Sequence, residues 1–413
     1  MRFAPHLSLA LLAVIPAWSS AQMANAPAAK ADFVRAVVNA PALTAASRRT
    51  DAARERVGAA GKLADVELEG MGSRMVGPMG ERATMWEMNV RQPLPKRGER
   101  AADRERARAG VSMAAADYAA MAGEMAADTA MAIAEAEGAQ ARIRLLETQI
   151  GRLDAVLRSI EARIASGSGR LAERLTVESR RASMQLMIEE ERQMAADALS
   201  EARGRLGLQP EVPLPLFAAP APDEIEADEA AAVRLAAART DEANAMVKMA
   251  RASAHPMTSV GVRFEQERRP MGDENSVGLA FMTDLPFRSR RYARAETKAA
   301  EAERAAAQTD ATAARYRISA SLTRVDRAER LAETASRLSK ETLGRLNAEY
   351  DAMVRAAGVG GMGPASTILE TVELLEKATD TELQVIRADT AVRTARAELW
   401  RYVSARDFPI SPH

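Results

Sequence analysis

The chain repeats itself. Arg-Thr-Asp-Ala-Ala from Arg49 returns as Arg-Thr-Asp-Glu-Ala from Arg239, an offset of 190 residues. Leu94-Pro95 returns as Leu285-Pro286 at 191, and Ala-Arg-Gly-Arg-Leu from Ala202 returns as Ala-Arg-Ala-Glu-Leu from Ala395 at 193. A slowly drifting offset is what a duplicated unit leaves after small insertions. Duplication constrains the fold more than any single motif, because every element read in one half needs a counterpart in the other.

In the first half, residues 32–60 are Ala-rich and helical. Val66 and Leu68 then alternate with Glu67 and Glu69, a Gly/Pro turn follows, and Trp86, Met88 and Val90 alternate with Glu87, Asn89 and Arg91. Period-two alternation across such a turn predicts a β-hairpin at about residues 64–94. From Pro95 to residue 164 there is no breaker beyond isolated glycines, which predicts one very long helix with Pro95 in its first turn. After the turn Ala-Ser-Gly-Ser-Gly-Arg (165–170), a second helix fills 171–206. The two long helices thus occupy 95–206 of a first repeat spanning 22–208.

A Pro-rich linker at 209–222 reads as stiff and extended. The order then recurs in a second repeat at 223–405: a helix at 223–253, a hairpin at about 257–286, and long helices within 287–403. Val260, Val262 and Phe264 carry one alternation of this hairpin and Val277, Leu279 and Phe281 the other. The helices turn at the Gly-rich residues 358–363, and 406–413 form a C-terminal tail.

The N-terminus has a basic Arg2, an apolar run from Leu7 to Trp18, and small residues before Gln22. This predicts a signal peptide over 1–21, cleaved after Ala21. No later stretch is apolar enough to span a bilayer as a helix, so any membrane passage is expected to use strands. Cysteine is absent, which leaves packing or assembly to hold an exported chain together and provides no lipid-bearing cysteine. Charge is balanced at 57 basic and 57 acidic residues, so nucleic acid is not expected as a partner.

Strands of roughly 9–11 residues have the length that crosses a bilayer when tilted. Four strands from one chain leave two unpaired edges, which lipid does not tolerate. Assembly resolves this. Three chains would close twelve strands around a water-filled lumen, and two would close eight around side chains. A trimer is the expectation. The helix from Pro95 would reach about 100 Å. Ile143, Leu146, Ile150, Leu153 and Leu157, spaced by three and four, are expected to pack it against the antiparallel helix that follows.

The junction Gln-Pro-Leu-Pro-Lys-Arg-Gly-Glu-Arg resembles the strand-to-helix junction of TolC-like outer-membrane efflux proteins, with Gln92, Pro93, Leu94, Pro95, Gly98 and Arg100 at the pattern's positions. The second junction keeps Leu285, Pro286 and Arg291. Together with the duplicated helix–hairpin–helix–helix order, the resemblance covers nearly all of the mature chain. It implies a mainly α fold with a small β part, in which long antiparallel coiled-coil helices join a trimeric, twelve-stranded transmembrane β-barrel. It also implies a homotrimer in outer-membrane lipid that extends into the periplasm and works with a periplasmic adaptor and an inner-membrane pump. The short chain without a lipid-bearing cysteine looks closer to the heavy-metal efflux branch. The alternatives are a periplasmic coiled-coil adaptor or scaffold, and an outer-membrane channel for type I protein secretion.

No enzyme is expected. Of three histidines only His255 lies inside the repeats, and no catalytic constellation, cofactor site or zinc site can be assembled. Gly358 to Gly363 match a dinucleotide-loop spelling but follow a helix rather than a strand, so they read as a helical turn. By the resemblance this turn lies at the periplasmic tip, where Tyr350, Asp351 and Arg355 are the candidate gate. The Arg/Glu runs at 97–108 and 288–294 read as solvated helix faces. Of 21 methionines, Met71, Met75, Met79, Met85 and Met88 crowd the first hairpin. Thioethers are soft-metal ligands, but methionine more often packs, and Met88 falls on the apolar strand face.

Overall fold

A computed structural model of the chain describes residues 26–76, 82–167, 169–269, 272–284, 288–358 and 364–409. The signal segment 1–21, Met79, Leu285, Pro286 and most of the glycine turn (359–363) lie outside the described residues. The elements are α1 (Ala26–Val38), α2 (Pro41–Ala59), β1 (Glu67–Val76), β2 (Arg82–Leu94), α3 (Glu99–Ala165) and α4 (Leu171–Leu206), then α5 (Ala231–Ser253), β3 (Thr258–Arg269), β4 (Gly272–Thr283), α6 (Ser289–Gly358) and α7 (Pro364–Glu398). The sequence α2–β1–β2–α3–α4 is thus repeated as α5–β3–β4–α6–α7.

Three boundaries differ from the sequence reading. The first helix is broken between α1 and α2, because Pro41 has no N–H to continue it and instead opens α2 at its first position. In the second half, Ile225 to Ala230 are not helical; Ala230 makes an antiparallel bridge to Ser404, and α5 starts only at Ala231. Pro95 is not in the first turn of α3, which begins at Glu99.

The chain forms two compact units: one from residues 45–120 and 231–315, the other from 1–44, 121–230 and 316–413. In the first of these, Ala102, Ala109 and Ala116 on α3 are buried at seven-residue intervals, and so are Ala293, Ala300, Ala307 and Ala314 on α6. Seven-residue spacing keeps a seam on one side of a helix, and alanine lets the packed backbones approach closely. Ala102 and Ala293, Ala109 and Ala300, and Ala116 and Ala307 each differ by 191, the offset of the junction motif. The duplication therefore extends to the packing seam.

In the other unit Leu146, Leu153 and Ile160 of α3 pack with Val177, Met184 and Ile188 of α4 and Val372 and Leu375 of α7. Ile143, Ile150 and Leu157 lie against this core, half-buried, as their spacing predicts. At a corner of the same unit Trp400 is fully buried, stacked on Phe33 with ring centroids 5.4 Å apart and tilted against Phe408 at 5.8 Å. Its Nε1 donates to the Ala218 carbonyl at 2.9 Å. Residues 209–222 begin with a turn at 210–212, and 213–221 carry no helix or strand; the segment is packed, since Ala218 is buried and supplies that acceptor.

Between α3, α6 and α7 of this unit lies a cavity of about 430 Å³, lined by Leu145, Arg152, Leu343, Glu382, Val385 and Ile386 among others. Burial pushes the Glu382 carboxyl above its ordinary pKa, and Arg152 offsets this in part. The folded state therefore holds this proton more tightly than the unfolded chain. Stability from this group is present at low pH and is lost as pH rises from the unfolded pKa through the folded one. Glu382→Gln should accordingly raise the melting temperature at pH 8 and leave it unchanged at pH 4. A gain that grows on acidification would contradict this.

Candidate channel wall and strand-to-helix junctions

The four strands form one antiparallel sheet in the order β1-β2-β3-β4. The two hairpins pair with each other along β2 and β3, with Thr84 opposite Arg268 and Leu94 opposite Thr258. The sheet's outer strands are β1 and β4, and among the described residues each has one unpaired edge.

Register assigns every side chain to a face. One face carries Leu68, Val90, Val262 and Leu279 in one row across the sheet and Met88, Phe264 and Val277 in the next. Val260 and Phe281 extend it on one side. Trp86 extends it on the other, at a level where Gln266 and Asn275 are polar. These apolar groups are bare: Leu279 is 92% exposed, and Leu68, Val277 and Phe281 are each 70% exposed. Between the Thr258–Thr283 pair at one end and the Arg268–Asp273 ion pair at the other, β3 advances ten residues, about 33 Å of strand. At the tilt of a barrel strand this gives a height of about 25 Å, that of a lipid-facing band.

The opposite face is charged. It presents Glu67, Glu69, Glu87, Glu265, Glu267 and Glu274 against Arg91 and Arg263. Arg91 lies 3.3 Å from both Glu67 and Glu69, and Arg263 donates to Glu87 at 2.8 Å. Apolar groups on one face and ion pairs on the other fit a wall between lipid and water.

The first strand-to-helix junction is closely held. β2 runs through Pro93, which is buried and lies beyond the last β1 partner of β2, Arg91. Pro93 sits where the ladder toward β1 has run out, and Pro95 lies outside the strand. Leu94 is the last strand residue. The Gln92 side-chain amide donates to the Ala64 carbonyl at 2.8 Å. Gly98 has φ +84°, a left-handed conformation that disfavours any side chain, and it turns the chain into α3. The Lys96 amide donates to Glu99 Oε2 at 2.7 Å, which caps the start of the helix.

Arg100 and Asp103 clamp the turn after α2. Arg100 Nε donates to the Gly61 carbonyl at 2.8 Å, while the Gly61 amide donates to Asp103 Oδ2 at 2.7 Å. Gly61 has φ +65°, and a Cβ there would lie 2.8 Å from the Arg100 carbonyl oxygen. The resemblance placed Arg100 at the junction but gave no sign of Asp103 and Gly61, whose pairing is 42 residues apart. In the second repeat, 191 residues on, Arg100 corresponds to Arg291, but Asp103 and Gly61 correspond to Arg294 and Ala252, so only the arginine of the clamp is repeated. Arg291 lies exposed in the first turn of α6.

Tyr350, Asp351 and Arg355 fall within α6, but their side chains are not among those described. His255 is exposed just after α5. Among the described residues no group of three or more His, Cys, Asp or Glu side chains could hold a metal ion, and no helix is long and apolar enough to cross a membrane.

Comparison with known proteins gives a consistent result. A search of curated sequences gives no match. A membrane protein from Pseudomonas aeruginosa has a similar fold, with a TM-score of 0.71 at 17% identity over 92% of each chain. The outer membrane protein VceC from Vibrio cholerae gives 0.69 at 14% identity, over 91% of this chain and 96% of its own. The open-state MtrE outer membrane channel of Neisseria gonorrhoeae gives 0.65 at 15% identity, over 90% and 88%. At these identities the likeness speaks for the fold. Residues 33–205, which hold the first hairpin, its junction, α3 and nearly all of α4, match the family described as Outer membrane efflux protein.

Proposed function

We propose that the protein is the passive outer-membrane conduit of a tripartite efflux system, a homotrimer whose three sheets close one twelve-stranded barrel. The observation that carries the reading is the sheet itself: a bare apolar face about as tall as a bilayer core, a charged reverse face, and one unpaired edge on each of β1 and β4. Joining β1 of one copy to β4 of the next satisfies both edges and turns the Glu-rich face inward. The match of residues 33–205 to the Outer membrane efflux protein family supports an efflux role. A periplasmic adaptor and an inner-membrane pump are the partners this role requires, and heavy-metal cations are a proposed cargo. The two repeats at 22–208 and 223–405, joined by the linker at 209–222, are the proposed domain division. Tyr350, Asp351 and Arg355 are the proposed gate, from their place near the turn between α6 and α7.

The test is reconstitution. Purified protein should run as a trimer in detergent and give discrete ion conductance in a planar bilayer. A monomer recovered from the soluble periplasm with no conductance would instead favour the adaptor or scaffold reading.

A further inference from the structure

The methionines of the first hairpin stand on an unexpected face. A packing or lipid-facing methionine belongs among Leu68, Val90, Val262 and Leu279, and Met88 alone of the hairpin's described methionines is there. Met71, Met75 and Met85 point to the opposite face, with the carboxylates. Met71 pairs across the strands with Glu87, Met85 pairs with Ser73 on β1 and with Glu267 on β3, and Met75 pairs with Ala83. Met71 and Met75 are 56% and 48% exposed, so neither is absorbed by a core. Met282, on the same face of β4, already accepts a contact from Arg91 Nη1 at 3.8 Å.

The register also fixes which thioethers can meet. Ser73 is the partner of Met85, so Met71 and Met75, two residues to either side of Ser73, are the two diagonal neighbours of Met85. Diagonal neighbours lie about 7–8 Å apart at the backbone, within the joint reach of two long flexible side chains. Met71 and Met75 are themselves about 13 Å apart along the strand, too far to share one ion. Two overlapping two-thioether positions result, Met71 with Met85, next to Glu87, and Met85 with Met75; Glu267, opposite Met85, lies beside both.

We infer that this face of the β1–β2 hairpin binds soft monovalent cations of the Cu(I)/Ag(I) type through paired thioethers, with Met85 shared between two successive positions. Thioethers select such ions over the hard and borderline cations that carboxylates alone would take. Glu267, opposite Met85, and Glu87, which also pairs with Arg263, place negative charge beside the thioethers without needing to ligate the ion. Weak, overlapping positions also suit passage, which requires binding loose enough to release at the next step. A cargo role for the ion rests on the channel reading above; the binding itself does not.

The experiment uses full-length protein in detergent and silver(I) nitrate as the probe, with bound silver measured by elemental analysis after equilibrium dialysis. The Met71→Leu/Met75→Leu/Met85→Leu variant should bind silver at least tenfold more weakly than wild type. Met85→Leu alone should account for most of that loss, and Met88→Leu on the apolar face should change nothing. Excess zinc(II) should fail to displace the silver. An unchanged triple variant, an equal loss in Met88→Leu, or ready displacement by zinc would each overturn the site. Potassium conductance of the triple variant, expected to equal wild type, shows that it is folded. Conductance without methionine-dependent silver binding refutes the site and leaves the channel; methionine-dependent binding without conductance supports the site and counts against the channel.

Discussion

Leu279→Arg should sharply reduce the amount of assembled protein recovered from the outer membrane, while Ser276→Arg should be tolerated. The two positions lie three residues apart on β4 and therefore face opposite ways. Leu279 stands in the row Leu68–Val90–Val262–Leu279, in the middle of the apolar face, and is 92% exposed. An arginine on the lipid side of a barrel at mid-bilayer costs about 2–4 kcal/mol, and a trimer meets that cost three times. Ser276 stands opposite Glu265 on the charged face, where an arginine gains a carboxylate neighbour. SDS-resistant trimer in outer-membrane fractions of cells expressing each variant is the measurement. If Ser276→Arg were lost and Leu279→Arg retained, the faces would have been assigned the wrong way round. If both were retained, the sheet would not be in lipid at all.

This sidedness was legible in the sequence for a simple reason. A strand that divides lipid from water writes its environment into every second residue. Val66 and Leu68 against Glu67 and Glu69, or Val260, Val262 and Phe264 against Arg263 and Glu265, can be read without knowing a partner strand. The long helices were legible because an uninterrupted run without proline has few alternatives, and because Ile143 to Leu157 keep a spacing of three and four. The duplication supplied a check that a single repeat lacks.

What stayed hidden depends on pairing rather than on pattern. Nothing local to Met71, Met75 and Met85 shows that they share a face with Glu267, because the partnership of β2 with β3 crosses about 180 residues of chain. The contacts of Arg100 and Asp103 with Gly61 were invisible for the same reason, and of these three residues only Arg100 was read as part of the junction motif. Proline also misled, at Pro41 and at Pro95, which precedes α3 rather than sitting in its first turn. Pro41 broke a helix that its alanine-rich surroundings suggested was continuous, whereas Pro93 stayed inside a strand because one side of the ladder had already ended. Alanine was the quietest signal. In so alanine-rich a chain, Ala102, Ala109 and Ala116 do not stand out until their burial and their matching positions on α6 are seen together.

Trp400→Ala should be the most destabilising single substitution in the helical unit that contains it, at about 3–5 kcal/mol, the usual range for deleting a buried aromatic side chain. Trp400 is 0% exposed, and the groups around it come from distant parts of the chain. Phe33 belongs to α1, Ala218 to the Pro-rich segment, and Phe408 to the C-terminal tail. Removing the indole leaves a void between these three segments and leaves the Ala218 carbonyl without this donor. Thermal unfolding by circular dichroism in detergent should drop on the order of 10 °C. Trp400→Phe separates the two contributions, since it keeps a ring against Phe33 and loses only the hydrogen bond and some volume. It should cost about 1–2 kcal/mol, the hydrogen bond accounting for roughly half. Equal losses in the two variants would make the Ala218 hydrogen bond, rather than the aromatic stack, the group that holds this corner. A loss below about 1 kcal/mol in Trp400→Ala would mean that the corner collapses to fill the space and that the three segments are held elsewhere.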